Sequence, residues 1–387
     1  MSVEAIDARP PGLAQRDGDA GRLRLFLGGD VMLGRGIDQA LAHPSPPELY
    51  EPWVKDAREY LRLAELANGP IPVPLDPPYV WGDALDVLAR FAPDLRIVNL
   101  ETAITQSDRP WPGKSIHYRM HPDNVDCLLA ARPDCCVLAN NHVLDWGEEG
   151  LAQTLDTLAR AGVSTAGAGR DEDDAFAPAV LPHPRGRALV FACATADSGV
   201  LDEQAARGQR AGIALLPDCG AKSANRVIER IGAHRREDDF VVLSIHWGAN
   251  WVRRVPDEHR VFARRLIDSG AVDAVHGHSS HHPLPIEIHR GKLVLYGCGD
   301  LVNDYEGIGA HGDLRSDLGC LHFADVDPFT RRCTALRIVP LQLRRFRLGA
   351  PDEDAVAWLA AAVADPADER AARLALHHGV LNWTATT

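Results

Sequence analysis

Short apolar runs that stop abruptly at polar residues constrain this chain more than any other feature. Residues 240–245, 272–275 and 293–296 are three such runs, and each gives way to His, Gly, Asn or Asp. Buried parallel strands take this form, with an apolar interior and functional groups displayed at the carboxyl ends. Further runs at 23–27, 95–98, 135–138, 164–169 and 189–194 alternate with helix-like segments at 82–91, 124–131, 150–161, 221–231 and 256–269. That alternation predicts an α/β fold. Residues 116–120 read as a short strand bearing His117 and Arg119, and 318–325 with 334–340 as a closing strand pair.

One domain accounts for the organisation. Residues 1–21 form a tail rich in Pro, Gly and Asp, 22–345 the domain, and 346–387 an Ala-rich extension expected to be helical. Within the domain, 41–83 is a Pro-rich insertion with a helix at 55–67, read as a loop beside the site. A net charge of −13 and a pI near 5.7 argue against a nucleic-acid partner, because phosphate backbones demand clustered Lys and Arg. Eight cysteines without a Cys-x-x-Cys pair predict reduced thiols and a cytoplasmic location. No apolar leader core and no stretch of roughly 18 apolar residues is present, so neither secretion nor a membrane span is expected.

The chemistry lies in what the runs present at their ends. In chain order these are Asp30; Asn99 and Glu101; Asn141 and His142; His246; His278 and His281; and Asp300. Imidazoles as dense as those from His276 to His282 cannot all be core residues, since each buried ring needs partners for both nitrogens. Imidazole, carboxylate and amide oxygen together suit Zn, Mn or Fe, and the lack of thiolate ligands argues against a structural zinc site. A central carboxylate can bridge two ions and so activate water for in-line attack. Taken singly, each residue has a plainer explanation. Asp30 could be a helix cap, His142 or His246 a core histidine, Arg253 and Arg254 a solvated pair, and Trp247 and Trp251 core aromatics. The shared position at strand ends outweighs these explanations for the group.

Six ordered motifs also carry a resemblance. GGDVMLGR (28–35), NLETAIT (99–105), ANNHVLDWGEEGL (139–151), SIHWG (244–248) with Pro256, GHSSH (277–281) and IEIHRGKLVLYGCGD (286–300) resemble the CapA family of poly-gamma-glutamate capsule biosynthesis proteins. The resemblance spans about residues 23–305 and implies a calcineurin-like metallophosphoesterase fold, an αββα sandwich of two mixed sheets flanked by helices. It makes Asp30, Glu101, Asn141, His246, His278 and His281 the metal ligands, holding two divalent ions (Mn, Fe or Zn). It puts His142 against the substrate as proton donor to the leaving group, with Asp145 as its catalytic companion. Arg35, Asn140, Arg119, Arg253 and Arg254 are the expected substrate-binding residues for an anionic small molecule or a polyglutamate-type substrate.

Several positions depart from the family pattern. Met32 stands where metallophosphoesterases usually place the His of Asp-x-His, and Asn140 replaces the usual glycine before Asn141. Asn250 and Trp251 replace a common Glu and Tyr; Gly297-Cys298-Gly299-Asp300 replaces Ser-Leu-Gly-Asn; and His282 competes with His281 for the ligand role. The implied function is a metal-dependent enzyme of poly-gamma-glutamate biosynthesis or processing, attacking a phosphate, acyl-phosphate or amide through activated water. The alternatives are a phosphomonoesterase or phosphodiesterase for a small molecule, and a non-catalytic accessory protein that binds a polyanion or a synthetase.

Overall fold

The computed structural model describes residues 21–183, 186–309, 312–365, 368 and 371–385. Two mixed sheets, one of ten strands and one of seven, form its centre. In the first, Leu23–Val31 runs parallel to Leu95–Leu100 on one side and antiparallel to Leu318–Val326 on the other. In the second, Gly186–Thr195, Phe240–His246, Ala274–His278 and Lys292–Leu295 lie side by side and parallel.

Period-two alternation explains how the layers stack. On the strands of the second sheet, Val190, Ala192, Val242, Ala274 and Leu293 join a core shared with Leu25 and Leu27 of the first sheet. Their neighbours Leu189, Phe191, Val241, Leu243 and Val275 face the other way, against Val227, Ile231, Phe262 and Leu266. Successive strand side chains point to opposite faces, so each strand serves both the sheet-to-sheet core and the helix layer. The covering helices Ala221–Gly232 and Asp257–Asp268 each bury residues four apart, one face of a 3.6-residue repeat. Ala84–Phe91 and Gly147–Arg160 contribute Val87, Leu88, Phe91, Leu151 and Leu158 to the core of the first sheet. Helices therefore flank two mixed sheets, as expected.

Three expectations need correction. The strand at 116–120 shrinks to Arg119–Met120, paired with Ala103–Ile104, because Tyr118 N instead donates to the Asp145 carboxylate at 2.6 Å. Among the described residues the 346–387 extension is helical only over Glu353–Ala362; Ala375–His377 and Val380–Thr384 then return as strands, the latter pairing with Cys333–Arg344. The insertion at 41–83 is not all surface loop, since Val80 and Trp81 are fully buried and Trp81 Nε1 donates to Cys127 O at 2.7 Å. The expected tail lies, apart from Gly21, outside the described residues. All eight cysteines are unpaired, and among the described residues no helix is long and apolar enough to cross a membrane.

Candidate metal centre

A β-bulge aims Asp30. Where Leu23–Val31 pairs with Leu95–Leu100, Gly28 stands opposite Val98 and Asp30 opposite Asn99, so the register slips at Gly29. An extra residue of this kind bends a strand and redirects the following side chain. Gly29 has to be glycine, because a Cβ there would lie 1.8 Å from Gly299 O, the oxygen that accepts from Asp30 N at 3.0 Å. On the second sheet His246 and His278 are direct partners at the ends of neighbouring strands. His276 Nε2 reaches Gly28 O at 2.8 Å and so ties the two sheets together beside Asp30.

Asp30 belongs to two groups of potential ligands. One ligand atom each from Asp30, His246 and His278 lie within 4.8 Å of one another, and so do one each from Asp30, His281 and Asp300. His246 Nδ1 and His278 Nδ1 are 2.7 Å apart, and Ser244 Oγ, 2.8 Å from His278 Nε2, fixes the second ring. His281 Nδ1 lies 2.8 Å from Asp300 Oδ1 and 3.9 Å from Asp30 Oδ2. Asn99 Nδ2 donates to Asp30 Oδ1 at 2.8 Å and to Glu101 Oε2 at 3.1 Å. Glu101 Oε1 is buried with no hydrogen-bond partner among the described residues, 4.0 Å from both His142 Nε2 and His246 Nε2. Asn141 Oδ1 is likewise buried and unpartnered.

This donor set fits a divalent cation. Buried acceptors without donors are costly, and ligand atoms on one ion at roughly 2.1 Å can lie as much as about 4.2 Å apart, which accommodates the contacts of Glu101. Burial and then Asp300 raise the Asp30 carboxyl to about 7; burial followed by Asp30 raises Glu101 well above its ordinary range. Burial, reinforced by neighbouring histidines, drives His246 and His278 well below the ordinary imidazole value. Neutral rings with nitrogens 2.7 Å apart share one proton or turn lone pairs to a common ion. A bound cation inverts the carboxylate shifts by supplying the missing positive charge.

A pH dependence follows for metal-stripped protein. A carboxyl whose folded pKa is raised contributes stability below its unfolded pKa and loses it as pH rises through the folded value. Asp30 and Glu101 are of this kind, and so is His281, where Asp300 and Asp30 outweigh burial and raise the imidazole. The depressed imidazoles of His246 and His278 act in the opposite sense, but only as pH falls below about 6.5. Between about pH 6.5 and 8.5 the melting temperature of EDTA-treated protein should therefore fall, and Mn2+ should restore more of it at the upper end. A flat profile with and without Mn2+ would count against the site.

The other expected site residues divide sharply. His142 Nδ1 is 2.7 Å from Asp145 Oδ2, so Asp145 orients the ring and Nε2 faces Glu101. Burial, only partly offset by Asp145, lowers His142 to about 4; Asp145 itself stays low because His142 and Lys114 outweigh its burial. Arg35 is turned inward, with its guanidinium on Asp304 (2.8 and 2.5 Å) and Glu51 (2.9 Å). Asn140 spends its amide nitrogen on Asn99 Oδ1 and Leu100 O, and its oxygen on His142 N and Val143 N, all within 3.0 Å. Arg119 donates to Ser107 O and Pro46 O and lies over the Trp146 ring. Arg253 pairs with Asp313 at the surface, and Arg254 is exposed. Asn140 is tied to the ligand groups through Asn99, whose amide nitrogen holds Asp30 and Glu101, while the bonds described for Arg35, Arg119 and Arg253 go to other partners.

Four further residues lie in or around the centre. Asp300, a strand-end residue absent from the family-derived ligand set, sits in the second group. Lys114 contacts Asp145 and Asn141 O, and its Nζ lies 3.3 Å from His142 Nδ1. It comes from a Pro-Gly loop with no motif to single it out. His282 turns both ring nitrogens to backbone carbonyls, of Pro283 and Val252, whereas His281 is the one grouped with Asp30 and Asp300. Met32 is buried with its sulfur 3.7 Å from Tyr305 Oη.

Comparison with known proteins places these residues in a family. The family described as "Bacterial capsule synthesis protein PGA_cap" matches residues 24–305. A "Probable polyglutamine synthesis accessory protein" of Mycobacterium tuberculosis is 47% identical over 338 residues, covering 87% of this chain and 88% of its own length. The "PGA biosynthesis protein CapA" of Bacillus subtilis is 29% identical over 207 residues, 53% of this chain and 52% of that protein. Among solved structures, a phosphatase of Mycoplasma pneumoniae superposes with a TM-score of 0.43 at 12% identity, covering 85% of this chain and 95% of the phosphatase. At that distance it assigns no chemistry.

Proposed function

Since the chain belongs to the bacterial capsule synthesis protein family, we propose that it is a metal-dependent hydrolase of poly-gamma-glutamate metabolism, acting on a phosphate, acyl-phosphate or amide bond of an anionic substrate. The observation that carries this reading is the sharing of Asp30 between two ligand groups, with the unpartnered Glu101 Oε1 beside them. Asp30, His246 and His278 would hold one ion and Asp30, His281 and Asp300 the other, with Glu101 and Asn141 completing the shells. Ions bound there would supply Lewis acidity and lower the pKa of a coordinated water towards neutrality.

The protein's own groups do the rest. Asn99 holds Asp30 and Glu101 in register through one amide nitrogen, so the carboxylates need no reorganisation. Asp145 fixes the His142 ring, and Lys114 places positive charge where an anionic group would rest. His142 is neutral in the free protein; an anion bound beside it would raise its proton affinity, letting Nε2 carry a proton for the leaving group.

The test is metal content together with turnover. Purified protein should hold Mn, Fe or Zn well above trace, and His246→Ala should lower that content by about one ion per chain and the hydrolysis of aryl phosphates or gamma-glutamyl amides by about 100-fold or more. Undiminished turnover by metal-free protein would end the proposal. The name of the Mycobacterium relative, an accessory protein, favours a second reading, an accessory role without turnover. No hydrolysis of any tested substrate, with stable co-purification of a ligase, would establish that role instead.

A further inference from the structure

Away from the strand-end centre, a buried ring nitrogen lies next to exposed carboxylates without a hydrogen bond of ordinary length among the described residues. His259, in the first turn of Asp257–Asp268, is 2% exposed, and its Nε2 is buried without a hydrogen-bond partner among the described residues. Its ring stacks flat on Trp247, with centroids 4.4 Å apart and planes 5° from parallel. The stack fixes the plane of the ring and so the direction of Nε2.

That direction leads to Asp197. Asp197 Oδ2 lies 3.6 Å from His259 Nε2, beyond hydrogen-bond reach. Its other oxygen accepts from Thr195 Oγ1 at 2.5 Å and from Gly248 N at 3.2 Å, so the carboxylate is held in place. Glu258 precedes His259 on the same helix, and one ligand atom each from Asp197, Glu258 and His259 lie within 4.8 Å of one another. Both carboxylates are exposed, so the open side of the cluster faces water.

We propose that Asp197, Glu258 and His259 form a separate cation site for a divalent ion such as Mn2+ or Zn2+, with water completing its shell. An imidazole with two carboxylates is the donor set these ions accept. Two ligand atoms 3.6 Å apart suit one ion bonded at roughly 2.1 Å to each. The ion would supply the partner that His259 Nε2 lacks. It would also brace the mouth of the main centre, because Asp197 holds Gly248 N and Thr195 Oγ1 approaches His246 O at 3.4 Å. The turn so braced continues to Trp251, whose ring centroid is 5.2 Å from that of His281. This inference goes beyond the hydrolase reading and does not depend on it.

Mn2+ titration of the metal-stripped full chain, followed by EPR, tests the site. The double variant Asp197→Asn, Glu258→Gln changes exposed side chains and should bind one ion fewer per chain than the wild type, while His278→Ala should keep this ion and weaken the one held with Asp30 and His246. Crystals soaked in Zn2+ should show anomalous density against His259 Nε2. Equal stoichiometry in wild type and double variant overturns the proposal, as does a crystal in which Asp197 and His259 simply hydrogen-bond with no density between them. A one-ion difference in protein whose strand-end centre binds nothing would uphold this site and defeat the hydrolase reading alone.

Discussion

Asp30→Asn should empty both halves of the strand-end centre at once, whereas loss of any single histidine should weaken only one. The amide is isosteric, and Asn99 Nδ2 can still meet the remaining oxygen, so the fold should survive. What disappears is the only charge common to the two ligand groups. Metal catalysis rests on several kcal/mol of charge stabilisation at the reacting atoms. Hydrolysis should accordingly fall by about 1000-fold or more. Stability should move the other way. Above about pH 7, metal-free wild type holds the Asp30 carboxylate buried beside Asp300, which raises its pKa; a neutral amide removes that repulsion. Mass spectrometry for metal content and melting curves in EDTA read the two effects separately. A variant that kept its ions would show that Asp30 does not bridge, and a lower apo melting temperature would show that the crowding is not what opposes folding there.

The residues that converge here were legible because each terminates an apolar run, and strand ends in a layered α/β fold meet along one edge. Period-two alternation accounts for which side chains of 189–194 and 240–245 face the opposing sheet and which face helices. The fate of the basic residues was not legible. Whether Arg35 grips a ligand or pairs internally is decided by Asp304, 269 residues away, and no local pattern carries that information. Asn140 was unreadable for a related reason, since its amide is consumed by a turn whose shape depends on Asn99 and Leu100. The C-terminal strands were hidden by composition. The Ala-rich run that does form Glu353–Ala362 invites a helical reading of everything after it, and Val380–Thr384 becomes a strand only because Cys333–Arg344 offers it an edge. Lys114 and His259 had no periodic signal at all; one sits in a loop and the other on a helix face where a core histidine is the ordinary expectation.

Arg35→Met separates internal pairing from substrate binding. The Arg35 side chain is 3% exposed, those of Glu51 and Asp304 are fully buried, and the guanidinium centre lies 3.6 Å from the centroid of the Tyr60 ring. Removing one partner of a buried ion pair costs about 3–5 kcal/mol, because it strands the opposite charge. Here two carboxylates would be stranded, and Glu51 with Tyr60 anchors the 48–60 segment of the insertion. The expected result is a marked loss of stability in urea unfolding and early proteolytic cleavage between residues 48 and 60. Arg35→Lys should rescue little, since an ammonium cannot span Asp304 and Glu51 as the planar fork does. Neutralising the partners in the same chain, as Asp304→Asn and Glu51→Gln, should recover part of what Arg35→Met lost, because the penalty belongs to uncompensated charge rather than to a missing contact. Had the guanidinium been a substrate ligand, Arg35→Met would instead raise KM with the urea midpoint unchanged, and the added neutral partners would recover nothing.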